Sequence, residues 1–182
     1  MKNLKFIAVA ILMLITITGC VDQPEQNSSG VDSMLTDEHA KFSENILFSI
    51  NNGAAGFGTI AECTDAEIIV YTDKTISVFM PSSDFEQTEK IASINISDND
   101  YEKLSEIADR EKIYNLNVYD GEGCDGASSY IKLYDENDKQ LVYKGGYMAV
   151  GEEFWEIYKS IKEIINTYGI SDIVDEHRKT LE

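Results

Sequence analysis

Residues 152–168 constrain the fold of this chain more than any other stretch, because their apolar side chains recur at three- and four-residue spacing. That spacing is typical of an amphipathic helix with one apolar face. Gly169 follows at the position where a glycine commonly ends a helix. We therefore expect a helix whose apolar face packs against a second layer of the domain. The residues of this face are Phe154, Ile157, Tyr158, Ile161, Ile164, Ile165 and Tyr168.

The second layer is predicted by short runs of β-branched and aromatic residues that are separated by turn residues. Two pairs of runs are joined by tight turns, at Thr72-Asp73-Lys74 and at residues 136–139, which predicts two β-hairpins. The predicted strands are residues 45–50, 67–71, 75–80, 90–96, 128–134 and 140–143.

Another amphipathic helix is predicted over residues 97–112, where Ser97 is a suitable N-cap. Runs of hairpin-linked strands, each followed by a helix, indicate an α+β fold. We expect an antiparallel sheet of about five or six strands, with the two amphipathic helices packed on one face. The domain is predicted to span residues 37–169, and residues 170–182 to form a short appended helix or a tail.

The N-terminus has the features of an export signal. Lys2 and Lys5 form a positive start, residues 6–15 form an unbroken apolar run, and the small residues Thr18 and Gly19 follow. A helix that spans a bilayer needs about 20 apolar residues, and this run is shorter. The pattern therefore favours a cleaved signal peptide over a membrane-spanning helix.

The ending Ile17-Thr18-Gly19-Cys20 resembles the lipobox of bacterial lipoproteins. This resemblance implies that residues 1–19 are removed and that Cys20 becomes an N-terminus carrying a thioether-linked diacylglycerol. Two acyl chains are sufficient for stable anchoring in a membrane. The polar residues up to position 36 then form a flexible tether, residues 20–36. The expected location is the cell membrane, lipid-anchored on its extracytoplasmic face.

The chain is strongly acidic, with a formal charge of −18 from 33 acidic and 15 basic residues. Removal of Lys2 and Lys5 with the signal peptide leaves 13 basic residues, so that the mature charge is −20. So acidic a surface repels nucleic acid and anionic lipid headgroups. It is compatible with cations or basic partners, but it favours the interpretation as an ordinary acidic secreted surface.

Three cysteines are present, and lipidation of Cys20 leaves Cys63 and Cys124. An even number of cysteines in an oxidising compartment predicts one disulfide. It would close a loop of about 60 residues, worth roughly 4 kcal/mol in the chain-entropy model. Free structural thiols and a catalytic thiol remain alternatives, although the histidines, His39 and His177, lie near the ends of the chain.

An acidic, glycine-containing loop places Asp120, Glu122 and Asp125 within six residues. Calcium prefers several oxygen ligands, and alternating carboxylates can supply them. The spacing departs from an EF-hand loop, because Ile131 stands where its twelfth-position glutamate would be. Calcium binding at Asp120, Glu122 and Asp125 is therefore one hypothesis, and an ordinary acidic turn is the other.

The body of the chain has a predicted helix at residues 97–108, the pair Asp120-Gly121, a predicted hairpin at residues 130–143 and a predicted helix at residues 154–165. This order of elements resembles small uncharacterised secreted or lipoprotein domains of Gram-positive bacteria. This resemblance implies no catalytic residue. The sequence shows no nucleophile motif and no metal-ligand spacing. We therefore expect a non-enzymatic binding module that contacts an envelope protein or peptide through its sheet face, strand edges or tyrosine-rich loops. The alternative is a calcium-dependent or enzymatic domain that uses the loop at residues 120–125.

Overall fold

The computed structural model describes residues 40–53, 58–122 and 126–181. Their strands form one six-stranded sheet in the order β4-β3-β2-β1-β5-β6. Every neighbouring pair is antiparallel, and both predicted hairpins are confirmed as β2–β3 and β5–β6. The strands are β1 (Ile46–Asn51), β2 (Glu67–Tyr71), β3 (Thr75–Pro81), β4 (Thr88–Asn95), β5 (Ser128–Tyr134) and β6 (Gln140–Tyr147).

The helices pack on the sheet, which confirms the predicted α+β class. Helix α2 packs against α4, α4 against α5, and α5 against β4. The apolar residues of these helices and of the strands join in one core cluster. The helices are α1 (Ile60–Cys63), α2 (Asp98–Ile107), α3 (Arg110–Tyr114), α4 (Glu152–Asn166) and α5 (Ile170–Arg178).

The continuous helix predicted over residues 97–112 was wrong, because the chain breaks after Ile107. Ala108 leaves the helical conformation with ψ 44°, and Asp109 is the N-cap of α3. The carboxylate of Asp109 accepts a hydrogen bond from Lys112 N at 3.1 Å. An aspartate that caps a new helix competes with continuation of the old one. The apolar spacing is similar across the break, so periodicity alone does not reveal it.

The central strand β1 is buried along its whole length. It lies between β2 and β5 in the sheet, although β5 comes much later in the sequence than β1 and β2. Because side chains alternate between the two faces of a strand, each strand contributes one set to each face of the sheet. The set under the helices is aliphatic and aromatic, and each of its main members has 0 % exposure: Phe48, Ile50, Ile68, Val70, Ile76, Val78, Met80, Ile131 and Leu133. We call this the covered face.

Residues 170–182 were expected to form either a short helix or a tail, and the structure shows the helix α5. Gly169 adopts a left-handed conformation with φ +74°, which lets the chain turn from α4 into α5. Ile170 and Val174 are fully buried. Arg178 donates from Nη2 to the carbonyl of Thr64 at 2.9 Å. Residues 170–178 are therefore a packed helix.

Residues 1–39 lie outside the described part of the chain. The signal peptide, the lipidated Cys20 and the tether all fall there, so they stay predictions. Within the described ranges, no helix is both long enough and apolar enough to span a bilayer.

Candidate binding surface on the open face of the sheet

The side chains that alternate with the covered ones form a second surface, which we call the open face. Its aromatic and apolar members are only partly buried, and they lie outside the core cluster that the helices share with the covered face. The main members of the open face are Ser49, Glu67, Ile69, Tyr71, Thr75, Ser77, Phe79, Lys90, Tyr130, Lys132, Tyr134 and Tyr143.

The strand register places a small residue at the middle of this face. Ser49 on β1 stands opposite Ile69 on β2 and Lys132 on β5. Lys132 in turn stands opposite Tyr143 on β6. Since the serine side chain is short, longer side chains from both neighbouring strands can meet above it. Glu67 from β2 and Lys132 from β5 do so, with Lys132 Nζ 2.8 Å from Glu67 Oε1.

Glu67 organises a hydrogen-bonded group that we call the polar centre: Ser49, Glu67, Lys132 and Tyr134. Its Oε1 accepts from Lys132 Nζ at 2.8 Å, from Ser49 Oγ at 3.1 Å and from Tyr134 Oη at 3.3 Å. The side chains of Lys132 and Glu67 keep 19% and 31% of their exposure. The polar centre is therefore sunk between its neighbours but still reaches solvent.

Aromatic rings border the polar centre. The ring centroids of Tyr130 and Tyr143 are 5.3 Å apart, with planes inclined by 33°. Lys132 Nζ lies 4.5 Å from the centroid of Tyr130, a cation–π distance. Tyr143 is 44% exposed. On the same face, toward the β4 edge of the sheet, Lys90 Nζ lies 5.9 Å from the centroid of Phe79.

The pKa values of three tyrosine hydroxyls on the open face, those of Tyr130, Tyr134 and Tyr143, are raised above the ordinary value. Burial, with the nearby charge of Glu67, raises the pKa of Tyr134 to about 12, although the hydrogen bond with Ser49 opposes the shift. Burial first, and then the charges of Glu67 and Asp65, raise the pKa of Tyr130 above its ordinary value. Burial and the charge of Asp120 do the same for Tyr143. These groups are therefore hydrogen-bond donors at physiological pH.

A buried asparagine anchors one end of this surface. Asn51, at the end of β1, has 0 % exposure. Its Nδ2 donates to Asp65 Oδ2 at 2.5 Å and to Ser128 O at 2.7 Å, while its Oδ1 accepts from Tyr130 N at 3.0 Å and lies 3.2 Å from the donor Tyr158 Oη. One side chain thus ties β1 to the loop before β2, to β5 and to α4. We infer that it holds the backbone of Tyr130 in place.

Charge is distributed unevenly between the open face and the rest of the chain. The chain has 33 acidic and 15 basic residues, yet the open face has Glu67 as its acid and Lys90 and Lys132 as its bases. Protein interfaces are depleted in charge at their centres and enriched in tyrosine, which combines a large rigid contact area with a polar group. The open face shares the enrichment in tyrosine, and the two charges at its centre, Glu67 and Lys132, are paired with each other.

One of the predicted metal ligands, Asp120, lies beside β6 at the edge of this surface. Asp120 is packed against Gly146, where an added Cβ would come 1.7 Å from Asp120 Oδ1. In the described ranges, which include Glu122 but not Asp125, no three His, Cys, Asp or Glu side chains are grouped to hold a metal ion. Calcium binding by Asp120, Glu122 and Asp125 stays a prediction.

The predicted disulfide also stays a prediction. Cys63 is the last residue of α1, and its side chain is exposed. Cys124 lies outside the described residues. The strands that follow the two cysteines, β2 and β5, both pair with β1 and begin at the same end of it, because Ile50 stands opposite Ile68 and Ile131.

Chemically, the open face supplies donors, acceptors and aromatic surfaces. None of its described residues is a histidine or a cysteine, the side chains that most often act as base or nucleophile. Comparison with protein-family models, with curated proteins and with solved structures found no match to this chain. With no relative to compare, the function of this chain is inferred from the chemistry of its site.

The sequence contains a signal for this surface that strand prediction by itself does not use. Ser49, Glu67 and Lys132 are polar residues of strands that are otherwise mostly apolar or aromatic. Because side chains alternate between the faces of a strand, such a residue indicates the face that is turned away from the core. The sequence does not show that the three residues are neighbours, because that depends on the order of the strands.

Proposed function

We propose that this protein is a bacterial lipoprotein, anchored through a diacylglycerol on Cys20 to the extracytoplasmic face of the cell membrane. Its folded domain is a non-enzymatic binding module of the cell envelope, and the partner contacts the open face. In this proposal, residues 20–36 are the tether between membrane and domain. The proposal joins the lipobox resemblance at residues 17–20 to the character of the open face.

The observation that carries the binding role is the tyrosine-rich, charge-poor open face on a strongly acidic chain. If solubility were the only requirement on this face, acidic side chains would be expected there as on the rest of the surface. Partly buried tyrosines with protonated hydroxyls instead favour contact with another molecule.

Anchoring is tested by fractionating Gram-positive cells that express the full chain. We expect the protein in the membrane fraction, and Cys20→Ala in the culture medium or as an unprocessed precursor. Cys63→Ala is the matched control, because it removes a cysteine that the proposal leaves unlipidated, and it should remain in the membrane. Membrane recovery of processed Cys20→Ala, at the level of the control, would contradict the anchor.

Binding is tested by sedimenting the purified full chain with lipid-extracted envelope fragments, in a detergent that has no sugar headgroup. We expect Tyr143→Ala to lower the sedimented fraction several-fold. Tyr119→Ala is the matched control, since Tyr119 is 67% exposed and lies outside the open face. The proposed binding surface is rejected if the two variants sediment equally, and the binding role is rejected if the unmodified chain does not sediment.

A further inference from the structure

We propose that the open face binds a neutral oligosaccharide segment of the envelope that has free hydroxyls on adjacent ring carbons. This inference rests on the proposed function, because it names the chemical class of the partner of the same surface. Three properties of the face support it: paired donors and acceptors, exposed aromatic rings and the balance of charge.

The polar centre presents donors and acceptors side by side. Lys132 Nζ and Glu67 Oε1 are 2.8 Å apart, and Tyr134 Oη lies 2.8 Å from Ser49 Oγ. The hydrogen bonds that the described residues make to Glu67 all use Oε1, so Oε2 retains its acceptor capacity. A lysine ammonium has three donors, and one of them reaches Glu67.

A hydroxyl group donates one hydrogen bond and accepts others at the same time. Two hydroxyls on adjacent ring carbons therefore match a neighbouring carboxylate and ammonium, because one donates to Glu67 while the other accepts from Lys132. Hydrogen bonds to charged groups are stronger than those between neutral groups. A charged group that loses water to a bound ligand without gaining such a hydrogen bond also costs free energy. The polar centre thus selects for ligands with paired hydroxyls.

The aromatic border supplies the apolar contact that a sugar ring requires. The face of an aromatic ring is electron-rich and attracts the weakly positive C–H groups of an aliphatic ring. Tyr143 is 44% exposed, and its ring lies beside that of Tyr130 at a centroid distance of 5.3 Å. Lys132 stands opposite Tyr143 across β5 and β6. A sugar that stacks on Tyr143 is therefore within reach of the polar centre.

Charge distinguishes a neutral polysaccharide from other envelope polymers. The chain carries a formal charge of −18, which repels phosphate-rich anionic polymers. A basic polypeptide would instead be attracted to an acidic surface, whereas the strands of the open face carry two bases, Lys90 and Lys132, beside one acid, Glu67, and the acids Asp65 and Asp120 act from the adjoining loops. A neutral, hydroxyl-rich ligand is not repelled by the acidic chain, and it does not need an acidic surface to bind.

The direct test is calorimetric titration of the full chain, in a detergent without sugar headgroups, with neutral tetrasaccharides of glucose, galactose and mannose. We expect saturable binding of at least one of them. The N-acetylglucosamine tetrasaccharide is the comparison ligand, because its inner rings have an acetamido group in place of one of two adjacent hydroxyls, and it should bind several-fold more weakly. The inference is overturned if none of the neutral tetrasaccharides binds, or if the acetamido ligand binds as well as the best of them.

Variants assign the binding to the open face. We expect Tyr143→Ala and Glu67→Gln each to weaken the affinity about tenfold, which is about 1.4 kcal/mol. Tyr143→Phe should retain most of the affinity, because it keeps the ring. Tyr119→Ala should bind like the unmodified chain. Thermal unfolding of each variant checks that the fold is intact, and equal affinities of folded Tyr143→Ala and Tyr119→Ala would contradict the site.

Chemical treatment of envelope fragments separates this inference from the proposed function. Periodate cleaves the carbon–carbon bond between adjacent hydroxyls and converts them to aldehydes, whereas a protease removes polypeptide. Loss of sedimentation after periodate alone supports the oligosaccharide. Loss after protease alone means that the binding module exists but has a protein partner, so that this inference fails and the proposed function stands. Failure of the untreated fragments to bind rejects both.

Discussion

The two faces of the sheet are made by the same strands and differ in almost every other respect. The covered face carries aliphatic and aromatic side chains with no exposure, such as Phe48, Ile68 and Leu133. The open face carries Glu67 and Lys132 among tyrosines, joined by hydrogen bonds that still reach solvent. The comparison separates two demands on one chain: the covered face stabilises the fold by excluding water, whereas the open face keeps its polar groups available.

Adjacent isoleucines on β2 give the largest predicted contrast. Ile68 is fully buried on the covered face, and Ile69 lies partly buried on the open face. We expect Ile68→Ala to lower the free energy of unfolding by about 2–5 kcal/mol, because it removes buried methyl groups and leaves a cavity. Ile69→Ala should cost about 1 kcal/mol or less, since neighbouring groups and water can fill the space. Urea unfolding measures both, and equal losses would break the distinction between the faces.

Two tyrosines test the same contrast through hydrogen bonds. Tyr158 Oη donates to Asn51 O at 2.8 Å and is buried, whereas Tyr134 Oη reaches the polar centre of the open face. Tyr158→Phe leaves a buried acceptor without its donor, so we expect a loss of about 1–2 kcal/mol. Tyr134→Phe should cost less than about 1 kcal/mol, because water can replace its hydroxyl. A larger loss for Tyr134→Phe would mean that the open face also serves the fold.

Replacement of Lys132 by methionine tests whether the polar centre serves binding and not stability. Lys132→Met removes the ammonium from Glu67 and keeps most of the aliphatic stem. Since both partners reach solvent, we expect a change of about 1 kcal/mol or less in the free energy of unfolding. Sedimentation with envelope fragments should fall several-fold. A stable variant with unchanged sedimentation would argue that the polar centre is not part of the binding surface.

The smallest predicted effect concerns two carboxylates with opposite pKa shifts. Hydrogen bonds from Ser43 and Asn45 lower the pKa of the exposed Asp138, so its contribution to stability is present above its ordinary pKa of 3.8 and is lost as the pH falls below that value. Burial raises the pKa of Asp65, so its contribution is present below 3.8 and is lost as the pH rises through the higher folded value.

Unfolding free energies measured from pH 3 to 7 test these two signs. Relative to Asp138→Asn, the unmodified chain should gain stability as the pH rises. Relative to Asp65→Asn, it should lose stability over the same range. Slopes of the same sign in the two comparisons would contradict the different environments of the two carboxylates.

Local features of the fold could be predicted from the sequence because their causes are local. The apolar stripe from Phe154 to Ile165 predicts α4, and the turn at Thr72-Asp73-Lys74 predicts the β2–β3 hairpin. The break between α2 and α3 was not predicted. An aspartate can stand within a helix or cap the start of one, and only the structure shows that the Asp109 side chain caps α3. Helix α5 could not be decided either, since the burial of Ile170 and Val174 depends on packing against other elements.

Sequence alone was enough for the two hairpins and for the polar residues that interrupt the apolar runs. These follow from side-chain period and turn chemistry within a few residues. Only the tertiary structure decided that β1 lies between β2 and β5, and therefore that Glu67 and Lys132, 65 positions apart, meet above Ser49. Such a contact depends on which strands pair across long loops, and no short stretch of sequence contains that information.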